Sequence, residues 1–352
     1  MFRHKLYLED LDNCLKATIK LHHLQNKTLL ITGATGMIGS FIVDSILHAN
    51  SKYKLGCTVI AMGRNLAKAQ ARFAHHWNND KFIFIRHNIN HPLRNDMPPP
   101  DFVIHSASTT HPVAYATEPI STITTNIFGT YHLLDYLCTN SQSARFVLTS
   151  TVEVYGQNRG DIDLFDESYC GYIDCNTLRA GYPESKRLSE ALCQAYAKEK
   201  GVDYVSARLP RTYGPTMLMS DTKALSQFIK KGLAGEDIVL KSKGDQLFSY
   251  AYVADSAAAI LSIMLTGKSG AAYNIADSQS DITLRDLAQH VATVCGTKLR
   301  YEIPDETESA GFSTANKALL DPTKLKSLGW KPLYTILSGI ERTIKIIHKS
   351  FE

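Results

Sequence analysis

No uninterrupted apolar run in the 352 residues approaches the ~20 needed to span a bilayer, so no membrane-crossing helix is expected. The opening stretch Met1-Phe2-Arg3-His4-Lys5-Leu6 has charged residues where a signal-peptide core would lie. A soluble, cytoplasmic protein without a membrane partner is the expectation. Basic blocks with interleaved aromatics are missing as well. The net charge is +4, with both signs spread along the chain, which argues against a nucleic-acid partner. The seven cysteines are scattered and never spaced CxxC, so they read as reduced thiols, and no metal site is expected. Internal repeats and low-complexity segments are absent too.

What is present is a chain 44% hydrophobic, enough for one large α/β domain with an appended lobe. Residues 1–26 place Leu8, Leu11, Leu15 and Ile19 at helical spacing, which predicts an amphipathic accessory helix packed on the main body. Strands are expected at 27–32, 58–62, 82–85, 102–105, 146–149 and 204–208. Helices are expected between them at 40–49, 66–75, 123–138 and from Tyr182 to about residue 200. Strands separated by helical patterns imply a parallel sheet with right-handed crossovers, a Rossmann-type doubly wound α/β fold over 27–210. From 211 to 352 the alternation loosens, with Gly214-Pro215, Gly235-Glu236, Gly244-Asp245 and a proline-flanked stretch near 303–304. This predicts a smaller, mainly substrate-binding lobe over the carboxyl ends of the strands.

The segment Thr32-Gly33-Ala34-Thr35-Gly36-Met37-Ile38-Gly39 follows an apolar strand and opens a helix. Glycines there allow a tight turn and a close backbone approach to a pyrophosphate, and the helix N-terminus offers free N–H groups to phosphate. Gly33, Thr35, Gly36, Met37, Ile38 and Gly39 are therefore candidate dinucleotide ligands. The acidic residue that would hold the adenosine ribose is missing: the second strand ends Met62-Gly63-Arg64-Asn65. Arg64 either pairs with a 2′-phosphate, which favours NADP, or stacks on adenine while Asn65 serves the ribose of NAD.

Tyr182-Pro183-Glu184-Ser185-Lys186 enters a helix with tyrosine and lysine on one face, so the ammonium is expected to lower the phenol pKa and hold the cofactor ribose. Upstream, the strand end Leu148-Thr149-Ser150-Thr151 brings hydroxyls to the carboxyl edge of the sheet, where one can steady the oxygen being oxidised.

At these residues the chain resembles the extended short-chain dehydrogenase/reductases that remodel nucleotide sugars, from about residue 27 to 332. The resemblance includes the glycine turn, His105-Ser106-Ala107-Ser108, Asn126 with Gly129-Thr130, Ser150 to Gly156, YxxxK, Tyr213-Gly214-Pro215 and Tyr252-Val253-Ala254-Asp255. It is similar to the UDP-glucuronate decarboxylases in the loop 109–119, with Pro112, Tyr115 and Pro119, and in the stretches 171–182 and 214–221. The resemblance implies a homodimer, a bound NAD held additionally by Asn88, Ser106, Ala107, Ser108 and Asn126, and a nucleotide-sugar substrate contacted by Tyr115, Arg211, Lys223 and Lys317. It also implies a reaction in which Tyr182, Lys186, Thr151 and Glu153 oxidise the sugar at C4, release carbon dioxide from a uronate and reduce the ketone again. Val152 stands where 4,6-dehydratases carry an acid, and Glu153 where 4-epimerases usually have no carboxylate, so decarboxylation is favoured. A 4-epimerase, and a 4,6-dehydratase or a net NADPH-dependent reductase, remain as alternatives.

Several positions depart from that pattern. Arg211 stands for the family's asparagine, and Thr216, Phe248 and Lys317 stand for family arginines. Asn88 falls where an aspartate commonly meets adenine.

Overall fold

The computed structural model describes residues 4–110, 112–302 and 316–348; the stretch near 303–304 lies outside them. Thirteen strands are described: β1 (Thr28–Thr32), β2 (Thr58–Gly63), β3 (Phe82–Arg86), β4 (Phe102–His105), β5 (Arg145–Thr151), β6 (Asp203–Leu209), β7 (Arg211–Tyr213), β8 (Ile238–Leu240), β9 (Leu247–Tyr252), β10 (Ala272–Asn274), β11 (Asp281–Thr283), β12 (Leu299–Tyr301) and β13 (Lys317–Ala318). Seven form one all-parallel sheet in the order β3-β2-β1-β4-β5-β6-β10. The order reverses direction between β1 and β4, so the crevice outside those two strand ends is the place where a Rossmann-type sheet binds ligands.

Parallel strands must be covered on both faces, and the residues alternate accordingly. Leu29 and Ile31 of β1 join the core beneath helices α1 (Lys5–Ala17) and α2 (Met37–Tyr53), while Leu30 between them packs with Leu133, Leu134 and Leu137 on the opposite face. That opposite layer is built from α5 (Pro119–Asn140) and α6 (Gly181–Lys200). Three shorter helices precede or follow: α3 (Leu66–Arg72), α4 (Pro112–Thr117) and α7 (Ala224–Leu233).

After β6 the chain builds a second layer in which β7, β11 and β13 all pair with β9, and β8 pairs with β12. It then returns to the large sheet through α8 (Val253–Thr266) and β10, so residues beyond 210 also supply the last strand of the dinucleotide-binding layer.

The N-terminal helix is narrower in sequence and more polar in attachment than its leucine spacing predicts. Its buried face is Tyr7, Asp10, Leu11, Cys14 and Leu15. Asp10 accepts hydrogen bonds from the Tyr252 hydroxyl at 2.6 Å, the Tyr334 hydroxyl at 2.8 Å and Arg342 Nε at 2.7 Å. Tyr7 donates to Asp44 of α2 at 2.5 Å, and Arg72 of α3 pairs with the same carboxylate at 2.6 Å, holding its pKa well below the usual range. His75 and His76 also reach Asp44, at 3.3 and 3.1 Å. These buried charges remain tolerable because each is met by several donors.

Removing Asp10 leaves two buried phenols without their acceptor and Arg342 with only Glu9 and the Leu6 carbonyl. Asp10→Ala should lower the unfolding free energy by about 3 kcal/mol, read from the denaturant midpoint at unchanged m-value.

Candidate active site

The glycine turn is shaped by contact. Gly33 has φ 65°, and a Cβ on it would lie 2.6 Å from the Ser106 carbonyl oxygen; one on Gly39 would lie 2.6 Å from the Gly33 carbonyl oxygen. Only glycine permits β1, β4 and α2 to meet this closely. Gly36 caps α2 without a side chain, so the first N–H groups of Met37, Ile38 and Gly39 keep the open end that pyrophosphate requires. Thr32 ties the two strand ends: its hydroxyl meets His105 Nδ1 at 2.8 Å and the Ala107 N–H at 3.2 Å, and its carbonyl accepts from Ser106 Oγ at 2.6 Å. Burial drives the His105 pKa down to about 3, so the imidazole is neutral. Thr216 of the second layer donates to the Met37 carbonyl at 2.9 Å, closing this lobe onto the start of α2. The residues present fit a dinucleotide.

At the adenosine end, Arg64 is exposed just beyond β2. Asn65 is the N-cap of α3, its Oδ1 accepting from the Lys68 N–H at 2.9 Å, so its side chain is engaged in holding the helix. The Lys68 pKa is lowered by partial burial and by the charge of Arg64, which makes this a locally positive corner. Asn88 Oδ1 turns back to the Asn90 N–H at 3.3 Å, and Ser108 Oγ to the Thr109 carbonyl at 3.5 Å. Asn126 donates to the Thr122 carbonyl and to Ser185 Oγ, and Ser185 donates to the Tyr182 carbonyl at 2.7 Å. In the described residues Asn126 thus braces α6 one turn from the tyrosine, with its Oδ1 buried and unpartnered.

Tyr182 and Lys186 are both buried on α6 beside the end of β5. Lys186 is anchored on the strand. Its ammonium donates to the Thr149 carbonyl at 2.8 Å, and burial lowers its pKa to about 8. Burial together with the nearby Glu153 carboxylate raises the Tyr182 pKa well above its ordinary value, opposed by a hydrogen bond from Thr151 and by the charge of Arg179. The cation beside the phenol is therefore Arg179, three residues ahead of it, a helical distance that the sequence displayed without its role being recognised. Arg179 pairs with Glu153 at 2.8 Å and lies 4.7 Å over the Tyr115 ring, which stacks on Tyr182 at 4.9 Å. Thr151 Oγ1 also accepts from the Glu153 N–H at 3.3 Å, fixing where that carboxylate leaves the strand. Thr151, Glu153, Arg179, Tyr115 and Tyr182 form one cluster.

The remaining substrate candidates divide. Lys223 reaches Thr110 Oγ1 at 3.4 Å and Asp221 at 3.3 Å, linking the second layer to the loop after β4. Lys317 is paired with exposed Asp163 at 2.8 Å on the rim. Arg211, at the head of β7, packs on Phe248, with its Cζ 3.3 Å from the ring centroid. Two of the positions that depart from the family's pattern are thus in direct contact.

Because the Lys186 proton is lost above about pH 8, dinucleotide binding that depends on this ammonium should weaken between pH 7 and 9. Titrating the cofactor into wild type and Lys186→Ala across that range tests it: wild type should show the loss, and the variant a flat, weaker affinity.

Residues 29–276 match the model of the NAD dependent epimerase/dehydratase family. UDP-glucuronic acid decarboxylase 1 of Xenopus tropicalis is 29% identical over 333 residues, covering 94% of this chain and 75% of the relative. UDP-glucuronic acid decarboxylase 4 of Arabidopsis thaliana is 30% identical, covering 92% and 69%. Among solved structures, the UDP-glucuronic acid 4-epimerase from Bacillus cereus in complex with UDP-glucuronic acid and NAD superposes with a TM-score of 0.75 at 22% identity, covering 92% of this chain and all of that one. The glycine turn at the switch point, the buried tyrosine–lysine pair on α6 and this match over most of the sheet lead to one conclusion: the chain belongs to the NAD dependent epimerase/dehydratase family, whose enzymes act on nucleotide sugars.

Proposed function

We propose that the protein is a decarboxylase of UDP-glucuronate that oxidises and re-reduces the sugar at C4. The observation that carries this reading is Glu153, held by the Thr151 hydroxyl at its own N–H and by Arg179 at its carboxylate, directly beside Tyr182. The names of the relatives support the same chemistry.

The nicotinamide cofactor, when bound, supplies reversible acceptance of hydride from C4. Tyr182 Oη takes the proton of the C4 hydroxyl, and Thr151 Oγ1 steadies the oxygen as it becomes a carbonyl. Burial and Glu153 keep the phenol protonated in the free protein, so Tyr182 serves as base only after its own proton has passed to solvent, a loss that the Thr151 hydrogen bond and the charge of Arg179 favour. With a ketone at C4, the C5 carboxylate is that of a β-keto acid. The C5–C6 bond breaks, carbon dioxide departs and its electron pair forms an enolate that a proton quenches at C5. Glu153 and Arg179 orient the sugar and serve that protonation. The net change is loss of carbon dioxide, without net oxidation.

Arg64 and Lys68 favour a second reading of the cofactor alone: a 2′-phosphate fits this positive corner, so NADP is the alternative to NAD. The protein is further proposed to form a homodimer through α5 and α6, whose exposed Ile120, Phe128, Tyr131 and Leu188 present an apolar face in common.

Incubation of the purified protein with UDP-glucuronate and either dinucleotide should yield a UDP-pentose and carbon dioxide, followed by mass spectrometry. An unchanged mass with a new sugar configuration would make it a 4-epimerase. Tyr182→Phe should lower turnover by at least about 100-fold with cofactor affinity near wild type; undiminished turnover removes Tyr182 from the mechanism. Phe128→Glu with Leu188→Glu should convert a dimer to a monomer by light scattering, and a wild-type monomer would refute the interface.

A further inference from the structure

The geometry points to Arg211 as the residue that recognises the carboxylate of the reacting sugar and so selects a uronate over a neutral hexose. This rests on the nucleotide-sugar reading above and adds to it the group that sets specificity.

Three observations carry it. The first is an unmet donor. Arg211 Nη1 is shielded from solvent and has no hydrogen-bond partner among the described residues. A buried guanidinium edge left open is costly, and its cost is offset when an anion binds there. Burial pushes the group below its ordinary range, the direction expected of a charge awaiting its counter-ion.

The second is anchoring. With Cζ 3.3 Å from the Phe248 ring centroid, the guanidinium is held against an aromatic face by a cation–π contact, which restricts its freedom before a ligand arrives. A carboxylate is planar and accepts two parallel N–H bonds edge-on, the arrangement that a flat, pre-oriented guanidinium offers.

The third is location. Leu209, two residues before Arg211, is paired in register with Thr151. Arg211 itself is paired with Tyr250 of β9, and the groups that act on it are Tyr250 first, then Glu153 and Arg179. It therefore stands at the sugar end of the cleft, beside the groups around Tyr182, and not at the α2 N-terminus where the cofactor phosphates belong. The local charge balance agrees. Glu153 is already paired with Arg179 at 2.8 Å, which leaves the positive charge of Arg211 to be met by one monoanion. Lys223 and Lys317, further along the rim, are paired with Asp221 and Asp163.

The test compares three ligands in the presence of the dinucleotide: UDP-glucuronate, UDP-glucose and UDP. Arg211→Asn should weaken UDP-glucuronate about 10- to 100-fold while changing UDP-glucose and UDP less than about twofold. Arg211→Lys keeps the charge without the planar fork and should fall between. Thermal unfolding of both variants checks that they are folded, and Arg211→Lys carries the test if Arg211→Asn is not. Equal weakening of all three ligands places Arg211 on the diphosphate and overturns the assignment, as does no weakening of any. If carboxylate-dependent affinity is found but no carbon dioxide is released, Arg211 keeps its role and the decarboxylation reading alone falls. A wild-type protein that binds UDP-glucose as well as UDP-glucuronate overturns the selectivity outright.

Discussion

The site depends on one close approach of backbone to backbone, that of Gly33 against Ser106. Any side chain at Gly33 would drive β1 and β4 apart at their carboxyl ends, because its Cβ would sit 2.6 Å from the Ser106 oxygen. That junction is where the strand order reverses. It aims the uncapped start of α2 into the crevice and sets the end of β4 opposite. The neighbouring strand β5 then carries Thr149, Ser150 and Thr151 to the same edge, and Thr149 fixes Lys186. A shift at the turn would be transmitted across the parallel register to the catalytic helix.

The sequence made the sheet legible because apolar β runs, glycines and helical spacing agree with each other from residue 27 to 210. Tyr182, Lys186, Thr151 and Glu153 fall in one neighbourhood. Side-chain partnerships were less legible. Lys186 bonds a carbonyl of β5, and Arg179 is the cation near the phenol; both facts depend on how α6 docks on β5, which no local pattern encodes. Asn65 was open to two readings until its place as the cap of α3 appeared. Asp10 lay hidden within an apolar stripe, since a carboxylate on a helix reads as solvent-facing unless its distant tyrosine and arginine partners are known.

The electrostatics of the cleft follow from burial more than from net charge. A phenol covered by Tyr115 and facing Glu153 resists ionisation, and the neighbouring Arg179 moderates that resistance. Such a site holds its proton when empty. The stacking of Arg211 on Phe248 follows the same rule: an aromatic face desolvates a cation and fixes its direction before any ligand arrives.

The first helix has a consequence for how the molecule comes into being. Asp10 is satisfied by Tyr252, Tyr334 and Arg342, so α1 finds the partners of its carboxylate more than two hundred residues further along the chain. On the ribosome the carboxylate must wait for Arg342 while more than three hundred residues emerge, although Tyr7 of the same helix meets Asp44 of α2 much earlier. Closing so long a loop is slow and leaves the half-made chain exposed to wrong associations. The bond between Asp10 and Arg342 is thus a late event in maturation, made only once every strand of the seven-stranded sheet between them has been synthesised.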